Sequence, residues 1–264
     1  MVKFKIPVEK HAFQTQRSSN KPMNQAQHQS LFNLFDRYVP VLSIAEPTFP
    51  FQPNTYREAM VKNNFQTVLV QSDDGLQKFD NGDSDLSPVS KADLMNGNTP
   101  LVRAFEKLLS NRRFFIETEG TISHIVTQSD LDKIPMRLVV FGYISTWETF
   151  LRELIKHTIP EWQASLSEER LASAQALYQL KLRRNEEIDL IQCLQLADLG
   201  SIFSKQKRFK SLMPGASRDQ YDAMVRNIGK LRDALAHSQP SLPFSWKEIH
   251  AQLAFMRQAI HLNS

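Results

Sequence analysis

The run Met136-Arg-Leu-Val-Val-Phe-Gly-Tyr-Ile-Ser-Thr-Trp147-Glu-Thr-Phe-Leu-Arg-Glu-Leu-Ile155 divides the chain into two kinds of structure. Its apolar residues recur every three or four positions from Leu138 to Ile155, and Pro160 follows shortly afterwards. This spacing predicts a long amphipathic helix of about 22 residues. Because the sequence before it lacks this period, we expect the helix to open a second, helical region.

Four further helices are predicted after it, three of them from a Ser-x-x-Glu/Gln pattern that caps a helix start. In chain order, one helix begins at Ser165-Leu-Ser-Glu168 and runs to about Arg184, and the next spans residues 186–203. Another begins at Ser217-Arg-Asp-Gln220 and runs towards His237, and the last begins at Ser245-Trp-Lys-Glu248. Residues 135–264 therefore predict an all-α helical bundle.

The sequence before the long helix predicts mixed α and β structure. Residues 1–28 are polar and without a period, which indicates a flexible arm. In residues 29–134, Thr67-Val-Leu-Val-Gln71 predicts a strand, and Arg113-Phe-Phe-Ile-Glu117 with the turn at Glu119-Gly120 predicts a hairpin. The expected fold class is α+β, with an N-terminal α/β region and a C-terminal helical bundle.

Composition and charge exclude several classes of protein. A single cysteine among 264 residues excludes an intramolecular disulfide framework and a cysteine-cluster metal site. No apolar run approaches a membrane span and the N-terminus lacks a signal-peptide core, so we expect a cytoplasmic protein with no membrane partner. The net charge of +4 lies entirely after residue 134, where 17 basic side chains face 13 acidic ones. This modest excess fits binding of a polyanion.

Near the C-terminus, Arg232-Asp-Ala-Leu-Ala-His237 joins a permanent cation to an imidazole. Arginine stabilises charge that develops on a phosphate, and histidine moves a proton near neutral pH. The pair suits RNA cleavage by attack of a ribose 2′-hydroxyl on its own phosphodiester, which needs no metal. We predict Arg232 and His237 as catalytic residues, with Asp233 orienting one of them. The alternative is a helix-end pair that bonds carbonyls and does no chemistry.

The same spacing occurs a second time, between Arg152 and His157. That pair lies within the long helix, where solvated surface charge is the better interpretation. Five residues of a straight helix turn by about 140°, so Arg232 and His237 can act together only if their helix ends near His237. Since a helix seldom passes the residue before a proline, Pro240 favours such an end.

A second motif, His124-Ile-Val-Thr127-Gln-Ser-Asp130, follows the predicted hairpin turn. The order of elements around it resembles the second half of a CBS module, and residues 29–134 resemble a tandem CBS domain. In that family, a threonine and an aspartate at these positions hold the ribose or phosphate of an adenosine ligand. The resemblance implies Thr127 and Asp130 as ligand-binding residues, with Asp83 in a degenerate first module. The alternative is a paired scaffold that binds no nucleotide.

The helical region resembles HEPN domains, which carry an Arg-x(4–6)-His motif late in a helical bundle, here Arg232 to His237. The resemblance covers about residues 136–262 and implies a homodimer in which two motifs meet and supply a base and an acid. It also implies metal-independent ribonuclease action in stress or defence, with no cofactor for catalysis. His237 would be the base on the 2′-hydroxyl, and Arg232 would stabilise the charge on phosphorus.

A basic connection precedes the predicted fourth helix. Its cations, with Phe209 between them, are predicted contacts to the RNA backbone, and a solvated basic loop is the alternative. These cations are Lys205, Lys207, Arg208 and Lys210. The sequence thus predicts a metal-independent endoribonuclease controlled by a CBS-like sensor of an adenosine nucleotide. The alternative function is a non-catalytic adaptor for nucleotide sensing or dimerisation.

Overall fold

The computed structural model describes residues 25–263, with side chains from residue 30 onward. Residues 1–24 of the predicted arm lie outside the described residues. Its last four residues are helical, because helix α1 spans Gln25–Arg37. The α+β fold class is confirmed: an N-terminal region of small sheets and helices is followed by a region of packed helices.

The N-terminal region contains two small sheets. Its elements are β1 (Glu46–Pro47), α2 (Tyr56–Asn63), β2 (Thr67–Ser72), β3 (Gly75–Asp80), β4 (Ser87–Pro88), β5 (Leu94–Asn96), α3 (Leu101–Leu108), β6 (Arg113–Thr118) and β7 (Thr121–Thr127). One sheet has the strand order β1-β7-β6-β5 and the other β2-β3-β4. Strands β5 and β6 are parallel, whereas the other paired strands are antiparallel.

The predicted hairpin is confirmed as β6 and β7, and its turn explains why the sequence forms it. Glu119 and Gly120 join the strands with φ values of +53° and +78°, and Thr118 pairs with Thr121. A two-residue turn with both φ values positive matches the right-handed twist of the flanking strands. The predicted strand at residues 67–71 is likewise confirmed as β2, which pairs with β3.

The C-terminal region contains six described helices. They are α4 (Ile134–Thr158), α5 (Glu168–Arg183), α6 (Leu196–Lys205), α7 (Phe209–Leu212), α8 (Arg218–Ala236) and α9 (Trp246–Leu262). The caps predicted at Ser217 and Ser245 are confirmed, since each side chain accepts a hydrogen bond from the backbone three residues on. The long helix is confirmed as α4, which ends before Pro160.

Two helix predictions in this region are wrong. The cap of α5 is Ser167, because the Ser165 side chain is buried and its Oγ accepts a hydrogen bond from Gln206 Nε2 at 2.8 Å. The helix predicted over residues 186–203 is divided into a 3-10 helix, Leu190–Cys193, and α6. Residues Asp189 and Gln195 each begin a new capped element, which explains the division.

Helix α4 joins the two regions, and their side chains share one hydrophobic core. It contacts α1, α6, α8 and α9. The Trp147 ring of α4 lies 5.5 Å from Phe255 of α9, and Phe105 of α3 lies 5.6 Å from Trp246 of α9. The boundary predicted near residues 132–136 thus falls at the start of α4, inside a continuous core. A smaller core lies between α2 and the β2-β3-β4 sheet.

Among the described helices, none combines the length and apolar character needed to span a membrane.

Candidate functional site

Helix α8 ends at His237, as the sequence predicts. His237 is the C-terminal cap, Ser238 takes a positive φ of +49°, and the Gln239 N–H donates to the Ala234 carbonyl at 3.0 Å. A left-handed residue directly after the helix reverses the chain and satisfies a terminal carbonyl. His237 therefore lies at a sharp helix end.

The segment after His237 is tied to α4. Arg137 of α4 donates from its guanidinium to the carbonyl oxygens of Gln239 and Pro240, the latter at 2.8 Å. Charge-assisted bonds of this kind are stronger than bonds between neutral groups. They fix the helix end, and with it the backbone of His237, relative to α4.

Arg232 lies one and a half turns before this end and is held by two carboxylates. Its Nη2 and Nε donate to Asp233 Oδ1 at 2.8 and 3.1 Å, and its Nη1 donates to Glu148 Oε1 at 3.2 Å. Partial burial alone would lower the pKa of Arg232, but the bonds to Asp233 and Glu148 outweigh it and raise the pKa. The side chain is 31% exposed. Two of its five N–H groups have no bond within the described chain, so they are available to a phosphate.

Glu148 is a site residue that the sequence analysis missed. Its side chain is only 12% exposed, and its second oxygen accepts from Arg152 Nη2 at 3.2 Å. The signal was present: Glu148 follows Ile144 by four positions and precedes Leu151 by three, so it occupies the apolar stripe of α4. A carboxylate at a core position needs a cationic partner. Glu148 has two such partners, Arg152 of its own helix and Arg232, 84 residues away.

The His237 side chain differs from the Arg232 side chain because it is exposed and has no hydrogen bond to a described residue. A free imidazole at a fixed helix end is accessible as a base or an acid. It lies five residues after Arg232, at the end of α8, and the predicted orienting residue, Asp233, does bond the arginine.

The competing pair, Arg152 and His157, does not form such a site. Arg152 Nη2 donates to Glu148 and also to the Leu194 carbonyl at 3.1 Å. His157 is exposed and lies 3.8 Å from Glu153 of its own helix. Arg152 is thus a core tie between α4 and the segment before α6.

The predicted RNA-binding cations are exposed around the short helix α7. They comprise Lys205, Lys207, Arg208 and Lys210. Phe209 between them is buried, with its ring 5.6 Å from that of Tyr221. It is therefore unavailable for stacking on a base, and the segment offers an RNA its exposed cations.

Thr127 and Asp130 line a cleft of about 750 Å³ between the two sheets. Phe51, Phe65 and Arg112 also line it. Asp83 is elsewhere: it is exposed in the turn after β3, where it accepts from the Asp80 N–H at 3.4 Å. The structure thus brings together two of the three predicted ligand-binding residues.

Both cleft residues already have partners. The Thr127 N–H and hydroxyl donate to Asp130 Oδ2 at 2.7 and 2.8 Å, which caps the 3-10 helix Gln128–Asp132. Asp130 Oδ1 pairs with Lys133 at 2.8 Å, and Asp130 is buried. The pair therefore has a local structural role, and a ligand would reach Thr127 before Asp130.

A second buried network beside the cleft joins the two sheets. Arg113 of β6 donates from Nη2 to Asp80 of β3 at 2.7 Å and from Nη1 to Asp93 at 2.9 Å. Lys78 also pairs with Asp93. Burial alone would raise the pKa of Asp93, but the bonds from Lys78, Ser90 and Arg113 hold it well below its usual range.

No family model, curated protein or solved structure matches this chain. Within residues 25–263, no three His, Cys, Asp or Glu side chains are grouped so as to hold a metal ion.

Proposed function

We propose that the chain is a metal-independent endoribonuclease whose site is Arg232 and His237, controlled by an adenosine nucleotide in the cleft between the sheets. One observation carries the proposal: an exposed, unpaired imidazole stands at a fixed helix end, five residues after a partly exposed guanidinium that two carboxylates hold in place. A core position for either side chain would have contradicted it.

In the proposed reaction, His237 takes the proton of a ribose 2′-hydroxyl. The oxygen attacks the adjacent phosphorus, the bond to the 5′-oxygen breaks, and a 2′,3′-cyclic phosphate forms. The leaving oxygen takes a proton from a second, protonated histidine. Arg232 stabilises the charge on phosphorus, while Asp233 and Glu148 hold its orientation. Such acid–base roles contribute about 10² to 10⁴-fold each.

The second histidine comes from a second copy of the chain in this proposal. The likeness to HEPN domains implies a homodimer, and an apolar surface beside His237 supports it. Ile134, Leu138 and Phe141 of α4 are exposed and line a groove that also includes Leu235 of α8. Burying this surface against a second copy would bring two α8 ends together.

The cleft supports the regulatory half of the proposal. Strand β5, helix α3 and strands β6 and β7 follow the order that the CBS likeness implies. The cleft offers Phe51 and Phe65 for stacking on a base, Arg112 for a phosphate, and the Thr127 hydroxyl for a ribose or phosphate oxygen. Nucleotide binding is expected to bias the dimer between active and inactive arrangements.

A second candidate function is a non-catalytic adaptor for nucleotide sensing or dimerisation. One observation favours it: the Arg232 cation is compensated by two carboxylates, as in a structural ion pair. In an adaptor, the helix end and its apolar neighbour would serve only association.

Cleavage of RNA in EDTA tests the proposal, with His237→Ala beside His157→Ala as the matched control. Both histidines are exposed and lie five residues after an arginine. We expect His237→Ala to lose cleavage by about 100-fold or more and His157→Ala to retain it. Product ends should carry a 2′,3′-cyclic phosphate. Equal cleavage by both variants, or none by the wild type with and without adenosine nucleotides, would favour the adaptor.

Thermal unfolding with AMP or ATP tests the regulatory half. A ligand that binds only the folded chain raises the unfolding temperature as its concentration increases. Arg112→Glu should reduce the shift, whereas Lys107→Glu, an exposed reversal on α3, should leave it unchanged. An unfolding temperature that no adenosine nucleotide moves would contradict ligand control by this class.

A further inference from the structure

A groove of about 470 Å³ runs between α6 and α8 and ends at Asp233, next to Arg232. Its lining includes the cations Lys205, Arg218, Arg226 and Lys230. The sequence analysis singled out only Lys205 among them. The groove thus connects the basic segment near α7 with the end of α8.

Most of the charge in this groove is uncompensated. Arg218 pairs with Asp222 at 3.6 Å, and Asp233 pairs with Arg232 at 2.8 Å, so both acids in the lining are already used. The side chains of Lys205, Arg226 and Lys230 are exposed and have no hydrogen bond or ion pair with any residue that the structure describes. Three cations therefore face one groove without an anion.

The helical register aligns these cations with the candidate catalytic base. Arg226, Lys230 and His237 lie within about 40° on one side of α8. Asp233 lies between Lys230 and His237 on the same side and is paired with Arg232. Along the axis, Lys230 and His237 are about 10 Å apart. A chain of phosphates bound at Arg226 and Lys230 would consequently continue towards His237.

Gly229 keeps the helix surface open at the centre of this row. A Cβ added to Gly229 would meet no described atom within 4 Å, so packing does not require glycine there. Gly200 across the groove differs, because a Cβ there would lie 2.5 Å from Val225 Cγ1. Glycine in a helix interior is unfavourable unless something approaches closely. At Gly229 that space faces the groove.

We propose that this groove binds the phosphodiester backbone of single-stranded RNA and directs it to Arg232 and His237. The inference rests on the proposed function and names its substrate class. Three unpaired cations along one groove suit contacts to a phosphate backbone. Attack by a 2′-hydroxyl in line with the leaving oxygen requires an unpaired, flexible strand.

The test is binding of a fluorescently labelled single-stranded RNA to the full chain in EDTA, measured by anisotropy. All proteins carry His237→Ala so that the RNA stays intact. Arg226→Gln with Lys230→Gln is compared with Lys107→Gln and Lys247→Gln, two exposed lysines on α3 and α9. We expect the groove pair to weaken binding and to reduce the slope of log K against log salt by about 1.4. The control pair should keep the slope of the parent.

Gly229→Leu adds bulk to the groove without changing charge, and we expect it to weaken RNA binding while the melting temperature is maintained. A duplex of the same sequence should bind more weakly than the single strand. Equal salt slopes for the groove pair and the control pair would overturn the inference. Tighter binding of the duplex than of the single strand would also overturn it, as would polyglutamate that displaces the labelled RNA as well as unlabelled RNA does.

These outcomes are separable from the proposed function. If the groove variants lose binding but protein with an intact His237 cleaves nothing, the groove is an RNA site and the ribonuclease proposal fails. If that protein cleaves RNA, and the groove substitutions change neither binding in the His237→Ala background nor cleavage when His237 is intact, the groove inference fails alone.

Discussion

Arg113 and Arg232 have the same kind of partners but differ in how far their side chains are exposed to solvent. Each guanidinium lies between two carboxylates, Asp80 and Asp93 in the first case, Glu148 and Asp233 in the second. The Arg113 side chain is only 7% exposed, and its guanidinium lies 4.6 Å from the centre of the Phe115 ring. The Arg232 side chain keeps about a third of its surface in solvent.

The difference teaches that carboxylate partners alone do not reveal what an arginine does. Arg113 bonds Asp80 through two nitrogens, Asp93 through a third, and Thr67, and its side chain is buried inside the protein. It ties β6 to the other sheet. Arg232 uses as many N–H groups as Arg113, but its side chain is partly exposed, and an exposed histidine follows five residues later. The carboxylates hold both arginines still, but only Arg232 keeps a substantial part of its side chain in solvent.

The largest expected effect is loss of stability in Arg113→Ala. Removing the cation leaves Asp80 and Asp93 poorly compensated, and breaking a buried ion pair in this way costs about 3–5 kcal/mol. Urea unfolding measures the change. Arg112→Ala is the matched control, because Arg112 is adjacent and exposed, and should change stability by less than about 0.5 kcal/mol. Equal unfolding midpoints for the two variants would break the comparison.

The same network should make stability depend on pH. Since the folded-state pKa of Asp93 lies below its ordinary value of 3.8, its contribution is present above that value and is lost as the pH falls below it. Urea unfolding from neutral pH down to about pH 3 should show a smaller acid loss in Asp93→Asn than in the wild type. Parallel curves for the two proteins would show that Asp93 keeps an ordinary pKa in the fold.

Arg232→Ala should affect activity far more than stability. Loss of a donor that stabilises transition-state charge lowers the rate by about 10² to 10³-fold. Because the ion pairs of Arg232 are partly exposed, the free energy of unfolding should fall by only about 1 kcal/mol. Arg232→Lys keeps the charge without the fork and should give intermediate cleavage. A loss of stability as large as that in Arg113→Ala would make Arg232 a structural tie as well.

The sequence was sufficient where the determining contacts are local. The β6-β7 hairpin, the caps of α8 and α9, and the end of α8 at His237 each depend on residues within a few positions. The wrong cap at Ser165 shows the limit. Ser165 and Ser167 are both followed three positions later by a polar residue, and only tertiary burial of Ser165 selects the second.

Non-local partners were beyond sequence reasoning. Arg113 and Asp80 are 33 residues apart, and Arg232 and Glu148 are 84 apart, so no spacing rule joins either pair. Thr127 and Asp130 were correctly placed together because they are only three positions apart in the sequence. Their spacing fits both a nucleotide site and a capping box, and the structure has the capping box. Local patterns therefore located the residues without deciding their role.

The smallest expected effect concerns Gly229, one turn before Arg232. Replacing an interior helix glycine by alanine stabilises a helix by about 0.5–1 kcal/mol where space allows, and a Cβ at Gly229 meets no described atom within 4 Å. We therefore expect Gly229→Ala to raise the free energy of unfolding. Gly200→Ala should lower it, because its Cβ would clash with Val225. A glycine that lowers stability where alanine would fit is consistent with a surface that a ligand must approach closely, because functional sites are often less stable than packing would allow. If Gly229→Ala instead destabilises the chain, the glycine has a packing role. The contrast between the proposed site at the end of α8 and the structural role of Arg113 would then be weaker.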